Sequence, residues 1–204
     1  MEIEKKSFEI IKGELGEEFV SRYPADALPV LCRVIHTTAD FSYRDTLTIT
    51  EGAIGLAKEA IHRGLPIITD TTMAASGINK TAARKFGIDV HCFIGDEDVK
   101  EAAKASGMTR SAVSAEKAAR LYPECIYAVG NAPTALMRLY ELIEEKRIRP
   151  ALIIGVPVGF VNVVEAKELI LRTDVPAIVA RGRKGGSNIA AAICNALLYE
   201  AGGR

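Results

Sequence analysis

Tryptophan is absent from the 204 residues, histidine occurs three times and cysteine four. Aromatic side chains make up 6% of the chain, and lysine plus arginine balance aspartate plus glutamate at 26 each. A neutral chain this poor in aromatics lacks the basic, stacking surface that nucleic acids require. Any anionic ligand must be caught by a local cluster of cations. No apolar run approaches the ~20 residues of a membrane span. The opening MEIEKKSFEIIKGEL is charged and holds no apolar signal-peptide core, so the expected setting is the cytoplasm. Cys32, Cys92, Cys125 and Cys194 are widely separated and never form CxxC. Three of them sit inside apolar segments, which predicts buried free thiols and no disulfide or metal centre.

What is there is an ordinary globular mixture, 49% hydrophobic and 25% charged. A chain of this length suits one domain with one sizeable core, and residues 1–204 are read as such. Five short apolar runs rich in β-branched residues stand out: LPIITD (65–70), DVHCFIG (89–95), CIYAVG (125–130), ALIIGVP (151–157) and PAIVAR (176–181). Runs of this kind suit strands buried on both faces. Helical patterns alternate with them, including DEDVKEAAKASG, TRSAVSAEKAARLY, PTALMRLYELIEEKR, VNVVEAKELILRT and SNIAAAICNALLYEA. The expected fold is α/β: a single three-layer domain with a mainly parallel five-stranded sheet flanked by helices. Three helical stretches precede the first strand. SFEIIKGEL has Ser7 as its expected N-cap, and DALPVLCRVIH has Asp26, with positions 27, 30, 31 and 34 as its buried stripe. TEGAIGLAKEAIHRG stops at Gly64.

Ligands of such sheets gather beyond the carboxyl ends of the strands. Those ends read DTTMAASG, GDEDV, GNAPTA, GVPVGF and RGRKGGSN. In RGRKGGSN, three cations including Arg183 and three glycines mark a strand-to-helix turn that Ser187 or Asn188 would cap. It matches neither the dinucleotide nor the P-loop pattern. Either an anion nest or an exposed basic turn fits it. GNAPTA places Asn131 just before Pro133, at a plain helix start or at one that faces an anion. The acidic residues of DEDV have no histidine at ligand spacing, so no metal is expected. Arg110 opens a helix, where it opposes the macrodipole, a misfit that a ligand would explain.

Arg33 and His36 are three residues apart and share a helical face. Thr37 and Thr38 suggest that this helix ends just after His36, and a helix C-terminus favours a cation. Arg33 works against a charged imidazole and Asp40 works for it. His36 is therefore either a structural histidine or a proton donor. His62 looks like a helix-end residue and His91 lies within a strand.

Taken together, RVIHTTADFSY, TDTTMAASGI, TRSAVSAEKAA, GNAPTAL, IGVPVGFVNVVEAKE and RGRKGGSNIAAAICNALL resemble the precorrin-8X methylmutase family, most closely its cobalt-precorrin-8 branch. The resemblance runs in order from Ser7 to Tyr199. It implies an isomerase of corrin biosynthesis, moving a methyl group from carbon 11 to carbon 12 by a 1,5-sigmatropic shift to give hydrogenobyrinic or cobyrinic acid. It also implies a homodimer that needs no cofactor. The family's catalytic histidine matches His36, its substrate-contacting serine and arginine match Ser7 and Arg33, and a further arginine matches Arg110. Asn131 and Arg183 join the expected substrate contacts from the loop reading. Two other functions remain possible from the residues alone: an enzyme of a phosphorylated metabolite using RGRKGGSN as its nest, and a non-catalytic corrinoid carrier.

Overall fold

The computed structural model describes residues 2–203; Met1 and Arg204, the ends of the expected domain, lie outside them. Its strands are β1 (Leu47–Ile49), β2 (Ile67–Thr69), β3 (Val90–His91), β4 (Ile126–Val129), β5 (Leu152–Gly155) and β6 (Ala177–Ala180). They form one sheet in the order β1-β6-β5-β4-β2-β3. All neighbours are parallel except β1, which runs antiparallel to β6 with Leu47 opposite Ala180. The sheet thus has six strands, not the five expected. β1 is three residues long and only partly buried beyond Leu47, so it offers no apolar run to find.

Before the first parallel strand lie α1 (Glu2–Leu15), α2 (Glu17–Arg22), α3 (Leu28–Thr38), α4 (Tyr43–Thr46) and α5 (Ala53–His62). Between β2 and β3 come α6 (Thr72–Gly77) and α7 (Lys80–Arg84), and between β3 and β4 come α8 (Glu97–Ser106) and α9 (Arg110–Leu121). Helices α10 (Pro133–Glu144) and α11 (Val163–Ile170) follow β4 and β5, and α12 (Ser187–Ala201) follows β6.

Three expected caps differ. Glutamate, isoleucine and lysine in EIEKK are good enough helix formers to start α1 ahead of Ser7. Ser7 therefore lies inside the helix, its Oγ donating back to the Ile3 carbonyl at 2.9 Å. Ala27, not Asp26, takes the N-cap position of α3, with no side-chain cap. At α12 the N-cap is Gly186, while Ser187 enters the helix and uses its hydroxyl elsewhere. The stripe on α3 is as read: Ala27, Val30, Leu31 and Val34 are buried.

The sheet separates two apolar clusters, and successive strand residues alternate between them. Ile126 and Ala128 face α1, α3, α5, α6, α7 and α12, while Tyr127 and Val129 face α8, α9, α10 and α11. At the carboxyl ends of neighbouring β2 and β4 the chain leaves to opposite faces, into α6 and α10. That is the switch point at which open α/β sheets form a crevice.

Candidate active site at the carboxyl edge of the sheet

The crevice is organised by Asp70, at the end of β2 and 1% exposed. One carboxylate oxygen accepts the Gly130 N–H at 2.9 Å, and the other accepts those of Asn131 and Ala132 at 2.8 Å. Burial raises the carboxyl pKa, and the three N–H groups act against the rise. The GNAPTA turn is thereby clamped, with Ala132 as N-cap and Pro133 opening α10. Gly130 lies against the start of α12, where a Cβ would sit 2.6 Å from the Ser187 Cα. Thr71, which caps α6, meets the Ser187 hydroxyl at 2.8 Å. Three helix starts are thus drawn to one line.

Next along the rim, RGRKGGSN packs on the loop after β5. Gly185 touches that loop so closely that a Cβ would come 2.2 Å from the Val156 carbonyl oxygen. Lys167 of α11, fully buried, holds the turn from beneath by donating to the Gly182 and Lys184 carbonyls at 2.8 and 2.9 Å. Burial lowers its pKa to about 8. Lys184 reaches across to Asp40 (2.7 Å) and Ser42 (2.9 Å), and this hydrogen bond, with those from Ser42, holds the Asp40 carboxyl down at about 2. Arg183 remains exposed and lies 5.7 Å from the centroid of the Phe160 ring.

The Asp40–Lys184 tie fixes the end of α3. Thr37 and Thr38 bond back to the Arg33 and Val34 carbonyls, and Ala39 closes the helix in a left-handed conformation. His36 stands exposed in this last turn, its ring edge-on to Phe8 at 5.8 Å. One turn back, Arg33 is half-buried under α1 and paired with Glu4, its guanidinium between the rings of Phe8 (4.9 Å) and Tyr199 (5.3 Å). Arg33 and His36 thus both meet Phe8 of α1, and Ser7 is the residue before it on that helix, its hydroxyl bonded to Ile3. Asn131 and Arg110 lie further along the rim, on elements joined by a Thr109–Thr134 hydroxyl bond of 3.0 Å. Arg110 is exposed at the first turn of α9. The cysteines are free, and among the described residues no three histidine, cysteine, aspartate or glutamate side chains gather as a metal set.

A family model for precorrin-8X methylmutase matches residues 2–200. The chain belongs to this family. A cobalt-precorrin-8 methylmutase from Leptospira interrogans is 45% identical, over 96% of this chain and 91% of the relative. A precorrin-8X methylmutase from Pseudomonas aeruginosa is 36% identical, over 97% and 94%. The crystal structure of a precorrin-8x methyl mutase from Thermus thermophilus superposes with a TM-score of 0.89 at 37% identity, covering 100% of this chain and 98% of that one.

Within a methylmutase fold, several residues that build this edge gave little sign in the sequence. Asp70 reads as the polar end of a strand, and only its three partners, 60 residues on, give it a purpose. Lys167 falls at an inward position of an amphipathic helix, where a lysine is almost never fully buried unless it is paired. Glu4 and Phe160 were invisible as site neighbours because each acts through an arginine distant in sequence.

Proposed function

We propose that this methylmutase seats its tetrapyrrole on the carboxyl edge of the sheet and uses His36 as the proton donor for the methyl shift from carbon 11 to carbon 12. The observation that carries this is the construction of the α3 end. His36 is solvent-facing in the last turn of α3, a turn closed by the Thr37, Thr38 and Ala39 bonds, and its ring meets the edge of Phe8. A macrocycle bearing many carboxylates suits a rim of helix N-termini with arginines Arg33, Arg110 and Arg183, Asn131 between them and Ser7 on α1. A proton lent by His36 to a ring C nitrogen draws electron density from the migrating system. It returns once the methyl has moved, so the net reaction is an isomerisation. General acid assistance of this kind is worth about 10²–10⁴-fold. Holding a single conformer of the macrocycle lowers the barrier further.

The phosphate-nest alternative is weakened because Lys184, the lysine of RGRKGGSN, is already neutralised by Asp40. Relatives at 40–45% identity are named cobalt-precorrin-8 methylmutases, which supports a cobalt-bearing substrate. We read residues 1–204 as one methylmutase domain that works without cofactor in the cytoplasm. Metal-free and cobalt-loaded precorrin-8, each incubated with chelator-dialysed enzyme, should both be converted to product, followed by absorbance, with cobalt-precorrin-8 the faster. No turnover of either, or turnover only on adding a metal or nucleotide, would refute the reading. A carrier would bind the pigment without changing its spectrum.

A homodimer completes the proposal. Phe160 (82% exposed) and Val161 (76%) present adjacent apolar side chains on the loop beyond β5, a patch that a second subunit would cover. Sedimentation equilibrium should return twice the 21.9 kDa chain mass; a monomer at micromolar concentration would remove this part.

A further inference from the structure

Between α1, α3 and α12 lies a cleft of about 260 Å³, lined by Glu4, Lys5, Phe8, Lys12, Arg33 and Tyr199 with their neighbours. Pockets that take a whole ligand run to roughly 300–1,000 Å³. This one therefore admits an arm of a large macrocycle and not its ring. Arg33 forms its floor. The rings of Phe8 and Tyr199 fix the plane of the guanidinium, and Nη1 donates to the Glu4 carboxylate. Its Nε is buried and has no acceptor. A guanidinium is a planar fork suited to gripping a carboxylate through two donors at once. Here the guanidinium is oriented, its Nη1 is held by an internal acid, and its Nε, on the edge away from Nη1, is buried without a partner.

We propose that Glu4 is an internal stand-in for a ligand carboxylate, displaced from Arg33 when a carboxylate arm of the macrocycle enters this cleft. The inference rests on the reading of Arg33 as a substrate clamp. Glu4 keeps the guanidinium solvated and in position while the site is empty. The incoming arm takes over the charge-assisted bond at Nη1 that Glu4 releases. Because Glu4 competes with every such arm, it lowers affinity for substrate and product alike, which hastens release of a product that carries the same carboxylates.

The test is a double-mutant cycle read by the chromophore of cobyrinic acid, titrated into wild type, Glu4→Gln, Arg33→Ala and the double variant, each checked for a cooperative melt. Glu4→Gln is expected to bind the pigment about threefold or more tightly, since a larger fraction of the clamp is then free. Arg33→Ala is expected to bind more weakly, and adding Glu4→Gln to it should change nothing. If Arg33→Ala weakens binding while Glu4→Gln leaves it equal or weaker, the stand-in idea fails and the clamp stands. Equal tightening by Glu4→Gln with and without Arg33 also overturns it, as an effect of net charge. Should Arg33→Ala bind as wild type does, the clamp reading itself falls, and the inference with it.

Discussion

Replacing His36 with asparagine is expected to leave the protein folded and able to bind product while turnover falls about a hundredfold or more, the lower end of what a general acid contributes. Asparagine keeps hydrogen-bonding capacity and similar bulk but has no proton to give. The side chain is exposed in the last turn of α3, and its one ring contact is the edge of Phe8, so folding should change little. Substrate and product carry the same carboxylate arms, so the clamp residues act on both and affinity should survive. Single-turnover absorbance of both proteins is the measurement. A variant that isomerises at near wild-type rate would move the acid elsewhere.

The parallel core of the fold was legible because its strands are buried on both faces and read as unbroken apolar runs. β1 was not. As an edge strand of three residues it owes its existence to Ala180 and Ile178 across the ladder, and nothing in LTI specifies that pairing. The helix caps show the same limit. A serine preceded by EIEKK is a cap only if the helix has not already begun, and there the propensity of the flanking residues decided the matter. The dual use of α3 was visible in part. Its buried stripe follows from spacing, and so does the shared face of Arg33 and His36. What spacing does not show is that α1 lies over that face, turning Arg33 into a half-buried ion pair while leaving His36 in water.

The architecture of the rim was the least legible part, because it depends on polar contacts between loops far apart in sequence. RGRKGGSN reads as an exposed cationic turn. In the fold, its lysine is spent on Asp40, two of its carbonyls are held by Lys167, and Gly185 lets the chain lie against the Val156–Pro157 backbone. Of its cations, Arg181 pairs with Glu168, which leaves Arg183 as the arginine of this turn that faces outward without an acid partner among the described residues.

Removing the Asp70 carboxylate is expected to produce the largest loss of stability. Asp70→Ala leaves the N–H groups of Gly130, Asn131 and Ala132 without their acceptor and opens a void at the switch point. Each donor stranded away from water costs about 1–3 kcal/mol. Asn131 is exposed enough to recover water, so a total of about 3–5 kcal/mol is expected. For a chain of this size that lowers Tm by roughly 6–20 °C, at 2–4 °C per kcal/mol. Asp70→Asn retains one acceptor in the same shape and should lie between wild type and alanine. The dependence on pH has a definite sign. Burial raises the folded-state pKa of Asp70 above its unfolded value, so the folded protein binds the proton more tightly. The stability this group contributes is complete below the unfolded value and diminishes as pH rises through the folded one. Asparagine does not titrate, so the gap between wild type and Asp70→Asn should narrow on going from acid to neutral pH. Paired denaturant melts at several pH values test both statements. If Asp70→Ala melts within a degree or two of wild type, the GNAPTA turn holds itself and the carboxylate is not its clamp. A gap to Asp70→Asn that widens with pH would mean that the three N–H groups outweigh burial.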